Sequence, residues 1–415
     1  MMKRISTNMQ HTDSNFSVRN QEARLQNVNN RLQSQRRIQQ LRDDPIAAGH
    51  SVRYKSFLTR LERFEKNTQT LRDRYTAAET YMNNSLQVMH RLRELSIQGA
   101  NGTYTPDDLK DMASEADELL KELIQNGNAV NADGVRIFSG TKSFTEPFET
   151  VNGTVDGAGS TVITAVRYNG TVDSKKVEAD ELSFMRADQA GNRIFWAEKQ
   201  TLLSQTDAKD FTVRENTEIE VDGVKIPLIA GDNVYAIISK INDSGAAVKA
   251  ALDPVTGGLN LTTTDARQLW LQDGENGTVL SELGLIKAEQ RPPYNVADSV
   301  RISGGSLFDS AIAVRNALLS GDQESLGGKI LGSIDGGIHN LTTRMAETGA
   351  QYARAETTLA RLDTVQLNVT ASESREADLD ITQAITDLKM FEHTHQASLS
   401  VLARLYKDSL LNYLR

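Results

Sequence analysis

Two long segments, one in each half of the chain, place small or apolar residues at alternating steps of three and four. The first series comprises Tyr54, Phe57, Leu61, Phe64, Thr68, Leu71, Tyr75, Ala78, Met82, Ser85, Met89, Leu92 and Ser96. The second comprises Leu331, Ile334, Ile338, Leu341, Met345, Thr348, Tyr352, Ala355, Leu359, Leu362, Gln366 and Val369. The mean step of 3.5 is the coiled-coil period. Because neither stripe is stable in water alone, we expect the two segments to pair as a long antiparallel coiled-coil rod. The predicted seam includes Phe57, Leu61, Phe64, Leu71, Tyr75, Leu341, Met345, Tyr352, Leu359 and Leu362.

Between these segments the composition changes, and Gly, Thr, Val and Asp dominate from about residue 150 to 300. Candidate strands in this region lie at 161–168, 193–196, 211–221, 225–229, 247–252, 259–263 and 268–271. A helix is expected at 233–241, and Asp222-Gly223 indicates a tight hairpin turn. The sequence therefore predicts a mainly α fold with an inserted α+β domain.

Helix-start signals divide the helical segments. Asp44 followed by Pro45 suits an N-cap and first helical residue, and Thr105-Pro106 repeats the arrangement for a second helix. The run 135–138 is expected to be a strand of a hairpin, and the acidic stretch 373–380 to break the helical segment before the last helix.

The two terminal segments are candidates for an assembly interface. Residues 1–42 are rich in Gln, Asn, Ser and Arg, so we expect them to be disordered until they meet a partner. The last helix carries an apolar stripe that needs a covering surface. The predicted interface residues are Leu25, Val28 and Leu32, together with Ile381, Ile385, Leu388, Leu399, Leu402, Tyr406 and Tyr413.

The composition excludes several classes of protein. There is no cysteine, so disulfides and thiol chemistry are excluded. The net charge of -9 argues against general nucleic-acid binding, although residues 1–42 hold eight basic residues against two acidic ones. The sequence has no run of 18 apolar residues, so it predicts no membrane-spanning helix. Lys3 and Arg4 are not followed by the apolar stretch that a signal peptide has.

No pattern in the sequence calls for catalysis, a metal or a cofactor. Among the six histidines only His393 and His395 are close, and residues two apart on a helix point away from each other. The run Gly327-Gly328-Lys329-Ile330 lacks the first glycine and the Ser or Thr of a phosphate loop. We therefore expect a protein that is not an enzyme.

Several strings resemble the bacterial flagellin family, in particular its hook-associated members. They are the opening Arg4-Ile5-Ser6-Thr7-Asn8-Met9, the helix start Asp43-Asp44-Pro45-Ile46-Ala47-Ala48, the helix end at 91–103, the hairpin string Gly134 to Gly140 with Pro147-Phe148, Ile241-Asn242 with Ala247 and Val248, and the ending Leu410-Leu411-Asn412-Tyr413-Leu414.

This resemblance implies a three-part organisation. Residues 1–42 and 376–415 would form a terminal coiled-coil assembly domain, 43–150 and 300–375 a helical rod with a hairpin, and 151–299 an outward β-rich α+β domain. It also implies a location in the bacterial flagellum, outside the cell or in the periplasm, after export without a cleaved signal peptide. The implied partners are further copies of the chain, hook-associated protein 1, flagellin, an export chaperone and the type III export apparatus.

The resemblance to hook-associated members implies a structural adaptor at the hook–filament junction that templates filament assembly. Three other interpretations of the sequence remain open. Filament flagellin shares most of the strings; the opening residues, Pro45 and the Asn-Tyr-Leu ending favour a junction protein. A coiled-coil signalling protein with an inserted sensor domain would need Glu/Gln pairs at heptad spacing. A nucleic-acid binder would use residues 1–42, and salt-dependent DNA retardation would support it.

Overall fold

The computed structural model describes residues 7–274, 277–288, 290–292 and 294–413, with side chains except at 7–11, 14 and 405–413. Contacts divide the chain into two compact units, Met1–Glu65 with Ala360–Arg415, and Lys66–Leu359. The helices are α1 (Thr7–Ser34), α2 (Pro45–Ala100), α3 (Pro106–Gly127), α4 (Gly191–Ile194), α5 (Val234–Asp243), α6 (Val279–Glu282), α7 (Leu307–Ser320), α8 (Gln323–Ser325), α9 (Leu331–Ala377) and α10 (Ile381–Tyr413). The strands are β1 (Phe148–Thr154), β2 (Thr161–Tyr168), β3 (Lys176–Asp180), β4 (Ser183–Arg186), β5 (Thr201–Leu203), β6 (Thr217–Val221), β7 (Val224–Leu228), β8 (Val248–Leu252), β9 (Leu259–Thr263), β10 (Leu271–Asp273) and β11 (Arg301–Ser303).

Local capping fixes where the long helices begin. The Asp44 carboxylate accepts a hydrogen bond from the Ala47 amide at 3.1 Å, and α2 begins at Pro45. Thr105 closes a capping box with Asp108 at the start of α3. Each cap satisfies amide groups that have no partner within the helix, so these two predicted starts are confirmed.

The predicted seams of α2 and α9 turn inward along their whole length. Every position of both series is buried or half-buried, including the ten residues of the predicted seam. In the unit made from both chain ends, Leu61 and Phe64 of α2 pack with Leu362 of α9. Side-chain packing of α2 on α9 therefore forms a hydrophobic cluster in this unit.

In the unit Lys66–Leu359 the same two helices run antiparallel. Arg72 pairs with Glu356 at 3.6 Å, and Arg93, further along α2, pairs with Asp335, earlier in α9, at 2.7 Å. The mainly helical fold with antiparallel pairing and an inserted α+β region is confirmed.

Lys66–Leu359 contains two main hydrophobic cores. The first joins α2, α3, α7 and α9 around an aromatic cluster, in which the Phe148 ring lies 4.8 Å from Phe308 and 5.1 Å from Phe195. The second lies between α5 and two antiparallel sheets of strand order β11-β5-β9-β8 and β10-β6-β7. The antiparallel hairpins β1-β2 and β3-β4 lie outside these two sheets.

Two local features of the second core agree with the sequence. Asp222 and Gly223 both have positive φ, 50° and 80°, and form the turn between β6 and β7. Asn242 exchanges two hydrogen bonds with the backbone of Ala250, at 2.8 and 3.0 Å, and so attaches the end of α5 to β8.

Several predicted strands are wrong. Residues 193–196 lie at the end of the short helix α4, because the aromatic core buries Ile194, Phe195 and Trp196 whatever their periodicity. Residues 135–138 form a turn-rich loop: Arg136 and Ile137 donate in different directions, to Ser143 and Ala129, so no ladder forms. Of 211–221 only β6 is a strand, and 268–271 contributes only the first residue of β10.

The core of the second unit gives a test of the seam. Leu92 in α2 is fully buried in the aromatic core, whereas Ile97 on the same helix is 39% exposed. We expect Leu92→Ala to lower the free energy of unfolding by about 2–5 kcal/mol, because it leaves a cavity in a packed interior. Urea denaturation followed by circular dichroism measures the change. Ile97→Ala is the control, and an equal loss in both variants would contradict the seam.

Candidate assembly interface

The terminal helices α1 and α10 pack against each other within the unit made from both chain ends. On α1 the half-buried positions recur at Val18, Gln21, Leu25, Val28 and Leu32. On α10 the buried Ala384 is followed at the same spacing by half-buried positions, Leu388, Phe391, His395, Ser398 and Leu402. Both series alternate steps of three and four, so the two helices meet along a coiled-coil seam. In the structure, residues 7–34 are helical against this chain's own last helix.

The predicted interface residues fall into two groups. Leu25, Val28, Leu32, Leu388 and Leu402 are half-buried in the α1–α10 seam. The other described members are exposed: Ile381 by 49%, Ile385 by 43% and Leu399 by 45%. The side chains of Tyr406 and Tyr413 lie outside the described residues.

The exposed group forms a second stripe on α10. Ile381 and Ile385 lie one helical turn apart, and Leu399 lies about four turns further along the same side of the helix, beside the seam. The exposed Glu392 lies on this side between Ile385 and Leu399. Large apolar side chains at this exposure are unfavourable in water, and the free energy falls when another surface covers them. The helix therefore has one apolar face covered by α1 and one that remains open in the single chain.

The linkers that join these helices to α2 and α9 bind each other through their backbones. The Arg37 amide donates to the Ala377 carbonyl at 2.9 Å, and the Leu379 amide donates to Gln35 at 3.1 Å. Gln35 has a φ of 55°, a left-handed conformation that costs a non-glycine residue energy. The chain thus turns between α1 and α2 at the place where it turns between α9 and α10.

A buried carboxylate holds the linker in place. Glu373 is 9% exposed and accepts a hydrogen bond from Ser51 at 3.0 Å. Arg36 and Lys55 lie 3.6 and 3.7 Å from the same carboxylate. In the sequence, the acidic stretch beginning at Glu373 indicates only a helix break. The sequence does not predict the contacts of Glu373 with Ser51, Arg36 and Lys55, because these partners lie more than 300 positions away.

Two further carboxylates in the linker stay ionised. The amides of Gln40 and Gln39 lower the pKa of Asp43, and the Ala47 amide lowers the pKa of Asp44. A carboxyl with a lowered folded pKa stabilises the fold fully above its ordinary value, 3.8 for both groups, and the stabilisation is lost as pH falls through the lowered value.

The residues considered for chemistry do not come together. His393 is exposed and His395 is half-buried in the seam. Leu326–Ile330, which contains the Gly327-Gly328 pair, forms one turn of π-helix, and Ser96 donates to the Leu326 carbonyl at 2.7 Å. Among the described residues no cluster of His, Asp or Glu has the geometry to hold a metal. The helices of the described part include none long and apolar enough to cross a membrane.

Family models match most of the helical sequence. The bacterial flagellin N-terminal helical region matches residues 5–143, and the C-terminal helical region matches 331–414. The flagellin hook IN motif matches 210–265, which contains Ile241-Asn242 and the bonds from Asn242 to β8. Together the models cover more than half of the chain. The chain belongs to the bacterial flagellin family, and it is a filament or hook component of the flagellum, an extracellular appendage.

Individual relatives are distant. Flagellin A of Vibrio cholerae is 25% identical over 386 residues, which is 90% of this chain and 89% of that protein. Flagellin B of Vibrio anguillarum is 26% identical over 414 residues, 96% of each chain. Among solved structures, flagellar hook associated protein-3 of Legionella pneumophila is similar over 78% of this chain and 97% of its own, with a TM-score of 0.46 and 18% identity. FlgL of Xanthomonas campestris is similar over 77% of this chain and 99% of its own, with a TM-score of 0.45 and 16% identity.

The contacts of the buried Glu373 carboxylate should keep the linker between α1 and α2 resistant to proteolysis. We expect Glu373→Ala to speed trypsin cleavage after Arg36 and Arg37 several-fold, because Ser51, Arg36 and Lys55 lose a shared acceptor. Timed digestion with mass spectrometry of the fragments measures the rate. Glu392→Ala, an exposed change on α10, is the matched control. An unchanged cleavage rate in Glu373→Ala would show that Glu373 does not hold the linker.

Proposed function

We propose that this chain is the adaptor of the hook–filament junction, hook-associated protein 3, and that it acts without catalysis. The observation that carries the proposal is the set of junction-type residues in a flagellin-family chain. They are the opening Arg4–Met9, Pro45 directly after the Asp44 cap, and the ending Asn412-Tyr413-Leu414. Flagellins more often carry alanine where Pro45 stands.

The exposed stripe of α10 supports assembly as the mechanism. Ile381, Ile385 and Leu399 expose apolar surface that a neighbouring subunit can cover, at roughly 25 cal/mol for each Å² removed from water. An existing template would offer a surface that covers this stripe, so assembly would proceed on the template rather than in solution.

The partners follow from the position of an adaptor. The chain would form a ring or short helix with copies of itself, contact hook-associated protein 1 on the hook side and contact flagellin on the filament side. Before assembly an export chaperone would cover the apolar stripe of α10, since an exposed amphipathic helix suits a hydrophobic groove. The type III apparatus would export the chain without a cleaved signal peptide, and neither nucleic acid nor membrane insertion is involved.

Filament flagellin is the second candidate. The observation that favours it is the alignment with Vibrio flagellins over at least 90% of the chain. The two functions differ in location, because an adaptor occupies one short zone and flagellin occupies the whole filament. Immunogold labelling of isolated hook–filament structures distinguishes a single band from continuous label.

Deletion of the gene tests the adaptor function directly. We expect intact hooks, no attached filaments and filament protein released into the medium, because the filament lacks its template. Electron microscopy of the cells and an immunoblot of the medium measure the outcome. Filaments of normal length in the deletion strain would contradict the proposal, and the loss of filament protein from both cells and medium would indicate flagellin.

The exposed stripe is tested by a change that spares the monomer. We expect Leu399→Ala to alter the free energy of unfolding by less than about 0.5 kcal/mol, because the residue is exposed on the helix surface, yet to reduce incorporation at the hook tip severely. Thermal unfolding and immunogold counting measure the two effects.

A matched control lies on the same helix. Val401 is 57% exposed but points about 200° away from Leu399 on α10. Val401→Ala should leave both stability and incorporation unchanged. Equal incorporation of both variants would mean that the stripe is not an assembly surface, whereas failed export of Leu399→Ala would point to the chaperone contact.

A further inference from the structure

A polar cavity lies within the unit Lys66–Leu359, at the place where four parts of it meet. The walls come from the β3–β4 hairpin and the segment after it, the β6–β7 turn, the α5–β8 loop and the face of α9 that carries Arg344, Glu347 and Gln351. Its volume is about 520 Å³. A second cavity of about 640 Å³ shares Lys176, Arg186 and several other lining residues with it. None of these residues belongs to the α1–α10 pair.

Three arginines from three different elements converge on this cavity. Arg193 belongs to α4, Arg267 follows β9, and Arg344 belongs to α9. Arg267 and Arg344 are 8% and 6% exposed. Burial lowers the pKa of Arg193, and the neighbouring charges of Arg267 and Arg344 lower it further. Arg267 and Arg344 both bond to the Asp265 carboxylate, so their guanidinium groups lie close together.

Acidic side chains compensate two of the arginines well and the third poorly. Asp173 and Asp188 also line the cavity, and Asp188 pairs with Arg74 at 3.1 Å. Arg267 bonds to Asp222 and lies 2.5 Å from Asp265, while Arg344 bonds to Asp265 and lies 2.8 Å from Glu347. Within the described residues the one ion pair of Arg193 is with Glu347, at 3.9 Å, which is beyond hydrogen-bond distance. Lys176 and Arg186 line both cavities and make no ion pair within the part of the chain that the structure describes.

Unsatisfied polar atoms concentrate in the same cavity. Among the described residues, ten buried side-chain nitrogen and oxygen atoms lack a hydrogen-bond partner, and four of them belong to its lining. They are Arg193 Nε, Arg344 Nε, Asp222 Oδ1 and Gln351 Oε1. Buried polar groups almost always have partners because desolvation without one is costly. Two donors and two acceptors in one cavity match a ligand that offers both.

The charge and the free atoms define the chemistry of that ligand. Guanidinium groups prefer oxyanions, which they bind with short, charge-assisted hydrogen bonds. Asp222 and Gln351 require a hydroxyl or amine donor in the same molecule. We propose that this cavity is a binding site for a small hydroxylated anion, a phosphate or hydroxycarboxylate, with Arg193 and Arg344 as donors to the oxyanion and Asp222 and Gln351 as acceptors from its hydroxyl. The site acts independently of the assembly role.

Titration calorimetry of the full-length monomer at constant ionic strength tests the site, with inorganic phosphate and citrate as probes. We expect saturable binding of at least one probe and a rise in the unfolding temperature when it is added. Arg193→Gln should weaken binding by about tenfold or more, because it removes a charged hydrogen bond. Arg193 is chosen because it has the weakest ion pair of the three arginines, so its loss disturbs the fold least.

Two further variants separate the site from general electrostatics. Arg214→Gln removes the same charge at a position whose side chain is 82% exposed, and binding should be unchanged. Gln351→Met removes an acceptor without changing the charge, and it should also weaken binding. If Arg193→Gln does not fold, the affinity of Gln351→Met tests the site instead. The absence of binding of both probes to the unsubstituted protein, or an equal loss in Arg214→Gln, overturns the proposal. Protection of the cavity residues from amide exchange only in the assembled polymer also overturns it, because a neighbouring subunit would then fill the cavity.

Discussion

The packing of α2 on α9 is the interaction on which the other elements depend. These helices lie more than 230 positions apart at every point of contact, so closing the chain between them carries a large entropic cost. The cost is met by continuous burial rather than by any single strong bond. The hairpins, the short helices and both hydrophobic cores of Lys66–Leu359 are attached to this pair or to the segment that it encloses.

Polar members of the seam determine what is attached to it. Thr68 is fully buried and donates to the Ala179 carbonyl at 3.2 Å, and beside it Asn67 donates to Glu178 at 2.9 Å. Ser96, also fully buried, donates to Leu326. A leucine at Thr68 or Ser96 would preserve the helical stripe but leave a carbonyl without a partner. The small polar residues therefore fix the position of the β3–β4 hairpin and of the π-turn, while the apolar residues supply most of the burial.

The sequence predicts what depends on local periodicity and fails where tertiary contacts decide. The stripes of α2 and α9, the Asp44 cap and the Asp222-Gly223 turn are local signals, and the structure reproduces each of them. Residues 193–196 are different, because a short apolar run fits a helix or a strand equally well and the aromatic core decides. Strands β5 and β11 have three residues each, too few for an alternation to be visible. The pairing of Glu373 with residues of α2 and the linker cannot be predicted from the sequence either, because its partners lie more than 300 positions away.

The same distinction applies to the apolar stripe of α10 and the polar cavity of Lys66–Leu359. The sequence predicts the first, and only the structure shows the second. The stripe on α10 is periodic, so sequence alone indicates it, and the structure adds that α1 covers only one side of the helix. The arginine cavity has no periodicity, since Arg193, Arg267 and Arg344 are brought together by three separate elements. An assembly surface must be displayed along a regular element to meet an equally regular neighbour. A small-ligand site needs only a few atoms held at fixed distances, so it forms where several elements meet and becomes visible only in the folded chain.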